Sequence, residues 1–198
     1  MDNNKSHTHE FTLVLDQVND KTEKLEDHLF EAGCDDALIN FRSGTVYLDF
    51  NREALSFENA VISAIQEVEL SPLGARVISI LPDDFVSESE IAKRLGRSRQ
   101  TVSLWVKRER REFFPNPISK LSDKSPLWRW HDVVKWLHDQ HLVKDEHLLE
   151  SALFLGNINA ILSERDPEIR KYRHRILDKL EEFSPLHRRD NYEANHAR

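Results

Sequence analysis

The sequence contains a single cysteine, Cys34, which rules out an internal disulfide and offers no metal-ligand spacing; a buried free thiol is its expected state. Only five glycines occur in 198 residues, and none is grouped into a loop that would cradle phosphate. A nucleophile elbow is missing too, as is any spacing of carboxylates, or of Cys and His, that matches a known catalytic constellation. The chain is therefore not expected to be an enzyme, and no cofactor or metal is expected. His138 and His141 share a helix face at i, i+3, but without a Glu-x-x-His context they read as solvated histidines. No stretch is long and apolar enough to cross a bilayer, and Met1 to Lys5 lead into no apolar run of the signal-peptide kind. The expected location is the cytoplasm, in association with the nucleoid.

What the sequence does have is length for a real core, enough for two small domains or one with extensions, and an uneven charge distribution. The net charge of −7 argues against a nucleic-acid binder until it is divided along the chain. Residues 1–86 hold 6 Lys and Arg against 17 Asp and Glu, net −11; residues 87–130 hold 11 against 5, net +6; residues 131–198 hold 11 against 13, net −2. Positive charge is thus concentrated mid-chain, as a polyanion-binding segment requires, and the acidic flank curbs indiscriminate association.

In chain order, residues 1–9 are polar and expected to be disordered. Phe11, Leu13 and Leu15 then alternate with polar or smaller neighbours as in a strand, and a helix carrying Leu25, Leu29 and Ala32 closes at Gly33. Ala37 to Phe41 and Thr45 to Phe50 read as strands joined at Arg42-Ser43-Gly44, a hairpin composition. Ser56 caps the clearest amphipathic helix, with Phe57, Ala60, Val61, Ala64, Ile65 and Val68 on one stripe. Ala75 to Leu81 is the last strand before a linker at Pro82-Asp83-Asp84. The order over residues 10–84 matches a ferredoxin-like βαββαβ domain: an antiparallel sheet with both helices on one face and the other open. Such a domain assigns no activity by itself. Its charge and strand composition oppose RNA binding, which leaves a dimerising or regulatory role through the open face, or a small-ligand sensor.

The stretch from Val86 to Trp130 is the centre of the functional reading. Ser87 and Glu90 have the spacing of a capping box, opening a short helix that buries Ile91, Ala92 and Leu95 and leaves Lys93 and Arg94 opposite. Gly96-Arg97 is a turn, and Ser98 caps a second helix. That helix buries Val102, Trp105 and Val106 and presents Arg99, Gln100, Ser103 and Lys107. Paired donors and acceptors on Arg and Gln match guanine and adenine edges in the major groove, which the first turn of such a helix enters. Arg97 and Lys93 fit phosphate contacts, and Ser98 and Thr101 complete the candidates at the start of the second helix. A plain helical hairpin would show a similar pattern over this fragment alone.

After the second helix come Lys107-Arg108-Glu109-Arg110-Arg111, Phe114-Pro115-Asn116-Pro117-Ile118, Trp128-Arg129-Trp130 and Trp136-Leu137. In that order they resemble the winged helix-turn-helix of the MerR superfamily, in its excisionase-like, AlpA-type branch. The resemblance covers roughly residues 86–140, and a winged DNA-binding domain over 86–142 is its implication. It makes Arg99, Gln100 and Ser103 base-facing, a strand of Phe114 to Ile118, and Lys120 and Lys124 wing contacts to phosphate. Two readings of Arg129 stand: a phosphate contact, or a guanidinium stacked between Trp128 and Trp130. The four tryptophans fall at apolar periods and read as core.

A helix from about Asp132 to Leu142 follows. Residues 143–184 are expected to form a helical hairpin, a broad apolar helix around Leu148 to Leu162 and a second one opened by Asp166-Pro167. Its stripe is Ile169, Tyr172, Ile176, Leu180 and Phe183. A lone hairpin cannot hide that much apolar surface, so it is expected to dock on the rest of the chain or on a second copy; residues 185–198 are expected to be a flexible tail. The functional expectation is a sequence-specific transcriptional regulator that binds double-stranded DNA as a homodimer, with a further protein partner through the sheet or the C-terminal helices and no membrane contact. An excisionase-like or architectural DNA-bending protein is the alternative within DNA binding, and a protein-interaction adaptor the alternative outside it.

Overall fold

The alternating apolar side chains of the N-terminal region fold as their period dictates. In the computed structural model, which describes residues 6–121 and 125–182, the order is β1 (His7–Asp16), α1 (Leu25–Glu31), β2 (Ala37–Arg42), β3 (Thr45–Ala54), α2 (Phe57–Leu70) and β4 (Arg76–Leu81). The sheet order is β2-β3-β1-β4, and every pairing in it is antiparallel, so β3 lies between the two strands that α1 connects. Ser43 and Gly44 both take positive φ, 52° and 80°, the geometry that a two-residue hairpin turn needs.

Phe11, Leu13 and Leu15 of β1, Val46, Leu48 and Phe50 of β3, and Ala60, Val61, Ala64, Ile65 and Val68 of α2 are buried, and α2 packs on β1, β3 and β4. Each large aliphatic or aromatic side chain removed from water in this way contributes roughly 1.5–3 kcal/mol before entropy is counted. Ser56 accepts the Asn59 amide at 3.1 Å and so fixes the start of α2. The opposite face of the sheet carries a polar ladder: Thr12 Oγ1 donates to Asp49 Oδ1 at 2.6 Å and Asn40 Nδ2 to Asp49 Oδ2 at 2.8 Å.

The row Val46, Leu48, Phe50 ends in a buried cation, Arg52, 7% exposed. Its Nε donates to Asp36 Oδ2 at 2.8 Å, Nη2 to Asp36 Oδ1 at 2.8 Å and the Gly33 carbonyl at 3.1 Å, and Nη1 to Ser63 Oγ at 3.0 Å; Glu67 Oε2 lies 2.6 Å from Nη2. Burial opposes the guanidinium's charge, but the bonds to Asp36 and Glu67 outweigh it and raise its pKa. Cys34 is buried and free; burial, with the charge of Glu67, pushes its thiol up to about 12.

Among the described residues the chain is α+β with seven helices and two antiparallel sheets, and it divides into two compact units, one ending at Asn159 and one beginning at Ala160. The expected hairpin boundary at 143 is not where the units part, because the helix α6 (Glu146–Ser163) gives most of its length to the first. Its Phe154 ring meets Phe57 edge-on at 5.9 Å. Asn159 accepts the Ile80 amide at 2.8 Å and donates to the Ile80 carbonyl at 3.0 Å, so one side-chain amide satisfies both backbone groups on the edge strand β4. In the second unit α7 (Pro167–Glu182) starts as its sequence suggests, with Asp166 Oδ1 accepting the Glu168 amide at 2.8 Å. Arg173 meets Glu164 at 2.6 Å, while Ile169, Tyr172, Ile176 and Leu180 stay exposed.

The structure corrects other expectations as well. Residues 7–9 are strand, not disordered tail: their backbones pair with Ala54, Glu53 and Arg52, and pairing of that kind tolerates polar side chains. Phe114 to Ile118 is not a strand, since Pro115 and Pro117 have no amide to donate to a ladder. Lys124, Phe183 and the tail from 185 lie outside the described residues.

Candidate nucleic-acid interface

The linker enters the basic region through β5 (Phe85–Val86), which pairs antiparallel with β6 (Trp128–Arg129) and so closes the region on itself. Between them lie α3 (Glu88–Arg94) and α4 (Arg99–Val106), and α5 (Trp130–Asp139) follows β6 directly, two residues earlier than expected. The capping box at α3 is formed: Ser87 Oγ accepts the Glu90 amide at 3.3 Å, and Glu90 Oε2 accepts the Ser87 amide at 2.7 Å. Burial alone would raise the Glu90 pKa, but the Ser87 bonds and the charges of Arg94 and Lys120 outweigh it and hold the carboxyl below its usual range. Gly96 takes φ 58° and turns the chain, and Ser98 then accepts the Thr101 amide at 3.2 Å to open α4.

Behind the two helices stands an aromatic core. Trp105, Trp128, Trp130 and Trp136 are all buried, as their periodicity indicates. Phe114 lies edge-on to Trp136 at 4.9 Å and to Trp128 at 6.1 Å, and Trp105 packs on Trp136 at 5.6 Å. Trp128 Nε1 donates to the Pro115 carbonyl and Trp136 Nε1 to the Glu112 carbonyl, both at 3.0 Å, so each ring keeps its polar edge satisfied. Val102 and Trp105 anchor α4 to this core, while Val106 is only half-buried.

The face of α4 turned from the core carries Arg99, Gln100 and Lys107, all exposed, and Ser103, half-buried. Ser98 and Thr101 are tied to each other, hydroxyl to hydroxyl at 2.9 Å, which makes them part of the helix start before anything else. Arg97 in the turn shares a cleft of about 270 Å³ with Thr101, Arg110 and Arg111. Arg110 and Arg111 were not among the sequence candidates, although the run Lys107 to Arg111 signals them. Arg111 already donates to the Gln140 side chain at 3.3 Å and Arg108 to Asn116 at 3.2 Å, whereas Arg110 is exposed.

The remaining candidates lie elsewhere. Lys120, exposed at φ 51°, sits in the loop that the Ser119–Leu127 bridge pins, and its charge reaches Glu90 at the start of α3. Lys93 is exposed but lines a different cavity, together with Glu90 and Arg94. Arg129 is exposed, so it does not stack between Trp128 and Trp130. A guanidinium does lie over Trp130, but it is that of Arg94, which was expected on the solvent face: it sits 5.0 Å from the ring centre and donates to the Asp83 carbonyl at 2.6 Å. Among the described residues no group of three or more His, Cys, Asp or Glu is placed to hold a metal ion, and no helix is long and apolar enough to cross a membrane.

A family model described as a homeodomain-like domain matches residues 81–112, a span that takes in β5, α3, the turn and α4. The match supports a helix-turn-helix DNA-binding domain over this stretch. Neither a curated protein nor a solved structure matches the chain.

Proposed function

We propose that the chain is a sequence-specific transcriptional regulator that reads double-stranded DNA with α4. The observation that carries this is the make-up of the first turn of α4. Arg99 and Gln100 stand exposed at the end of a helix whose other face is locked into the tryptophan core, within the span of the homeodomain-like match. Side chains of those two types on a rigid support are suited to base edges in a major groove, and Arg97, Lys107 and Arg110 suit the flanking phosphates. Lys120 and Arg129 are phosphate contacts at the periphery.

The AlpA-type, winged reading is supported by the packing of its own signature residues. Phe114 meets both Trp128 and Trp136, Trp128 donates to the Pro115 carbonyl, and Ser119 bridges to Leu127, as the base of a short wing would. The same packing favours, as a second reading, an excisionase-like protein that bends DNA beside a recombination site. The strand order β2-β3-β1-β4 supports a ferredoxin-like N-terminal domain. In this account the protein is not an enzyme. It works in the cytoplasm as a homodimer that binds paired half-sites, with the sheet or the C-terminal helices as the dimer surface.

Selection of binding sites from random duplex DNA tests the reading. The full chain should enrich a defined motif, and Arg99→Ala with Gln100→Ala should abolish the preference while sparing most nonspecific affinity. Failure to enrich any motif would sink sequence-specific regulation, and equal loss on all sequences would remove the base-reading role of the pair.

A further inference from the structure

Where the sheet meets the helix-turn-helix, a cavity of about 840 Å³ lies between β1, β3, α2, α3, α5 and α6. Much of its wall is apolar, with Phe50, Phe57, Trp130, Leu148 and Leu155 contributing. α3 adds two cations, Lys93 at the exposed rim and Arg94 farther in. Arg94 spends Nη2 on the Asp83 carbonyl, but its Nη1 is buried and has no hydrogen-bond partner. None of the ion pairs among the described residues includes Arg94. Its burial lowers its pKa, against the more distant charges of Glu90, Asp83 and Asp84.

A buried donor on a cation normally has an acceptor, because leaving it without one forfeits hydration for nothing. Arg52 shows how this chain treats a cation whose role is structural: two carboxylates and further acceptors surround it. Arg94 has no such arrangement. Of the carboxylates that line the cavity, Glu90 accepts from Ser87 through Oε2 and reaches Arg94 by charge without a hydrogen bond, and Asp49 accepts from Thr12 and Asn40. Glu10 is the third, and it belongs to β1, apart from the helix that carries the cations.

We propose that this cavity binds a small organic carboxylate, its anionic group paired with Arg94 and its aryl or alkyl body laid against Phe50, Phe57, Trp130 and Leu155. The volume is in the range, about 300–1,000 Å³, that encloses such molecules. Lys93 at the rim draws the anion in. Because the cations sit on the first helix of the helix-turn-helix and Phe50 and Phe57 belong to the sheet region, occupancy bridges the two and changes DNA affinity. That consequence, unlike the binding itself, rests on the DNA-binding reading.

The test is thermal denaturation of the full chain with phenylacetate, indole-3-acetate and octanoate, each against its own primary amide. At least one carboxylate should raise the Tm where its amide does not. Arg94→Gln should weaken that ligand about tenfold or more, Lys93→Gln less, and Ser151→Trp, which puts a large ring into the cavity from α6 and leaves both cations in the sequence, should block it. The proposal is overturned if no carboxylate outperforms its amide, or if a carboxylate's effect survives both Arg94→Gln and Ser151→Trp. Duplex binding measured with and without the active carboxylate then reads the coupling separately: an unchanged Kd overturns the coupling and leaves the site.

Discussion

α3 and α4 are neighbours of nearly equal length, each opened by a serine hydroxyl that accepts a backbone amide, yet their first turns carry opposite charge. α3 places Glu88 and Glu90 in its first turn and Lys93 and Arg94 in its last, so both ends complement the helix dipole. α4 has no acid in its first turn; Arg99 stands there, one residue past the cap and two past Arg97. A cation at that end costs about 0.3–1 kcal/mol. One helix therefore has charges arranged for its own stability, and the other has charges arranged for something negative outside it. Departures from local consistency of this kind concentrate where a protein works.

The comparison is broken outright by removing the core that both helices share. Trp105→Ala should cost about 4 kcal/mol in urea unfolding, since the ring is buried against Trp136, and DNA binding should go with it. A cost below about 1 kcal/mol would mean that α4 is not anchored as described. Removing the caps sharpens the comparison at a smaller scale. Ser87→Ala loses the side-chain half of the capping box but keeps the backbone amide that donates to Glu90, so it should cost about 1 kcal/mol, as should Ser98→Ala. Equal effects on stability but unequal effects on DNA affinity, larger for Ser98, are the expected pattern.

Reversing the charge of α4 is the next step down in stability and the most informative. Arg99→Glu should stabilise the fold by about 0.5 kcal/mol while weakening DNA binding, the signature of a residue kept for function. Loss of stability with unchanged DNA affinity would reverse the assignment. The smallest effect is a pH dependence confined to α3. Glu90 is held below its usual pKa, so its contribution is present above the unfolded value near 4.5 and is lost as pH falls through the folded one. Glu90→Gln should flatten the unfolding curve in that acid window, whereas the Ser98 cap, which has no titratable group, should leave it unchanged.

The two helices, their caps and the tryptophan core were legible in the sequence because each rests on spacing within a few residues: Ser87 with Glu90, Ser98 with Thr101, and Val102 with Trp105. The sheet was legible for the same reason, through the alternation in β1 and β3. What escaped depends on partners distant in sequence. The two-residue strands β5 and β6 have no period to detect, and they exist because Phe85 meets Arg129. Arg52 continues an apolar row and gives no local sign that Asp36, Ser63 and Glu67 surround it. Arg94 lies on what looks like the solvent face of α3 until α5 brings Trp130 over it, and Asn159 looks like an ordinary helix residue until β4 is beside it. The exposed and buried faces were thus readable on α4 and misjudged at Arg94 on α3.

The most direct test of the account is the affinity of the full chain for duplex DNA over a range of salt concentrations, with Arg99→Glu alongside. Binding should fall linearly on a log–log scale, with a slope of about −0.9 for each phosphate neutralised, and Arg99→Glu should bind far more weakly at every salt concentration. Salt-independent binding, or an Arg99→Glu variant that binds as well as the parent chain, would contradict it.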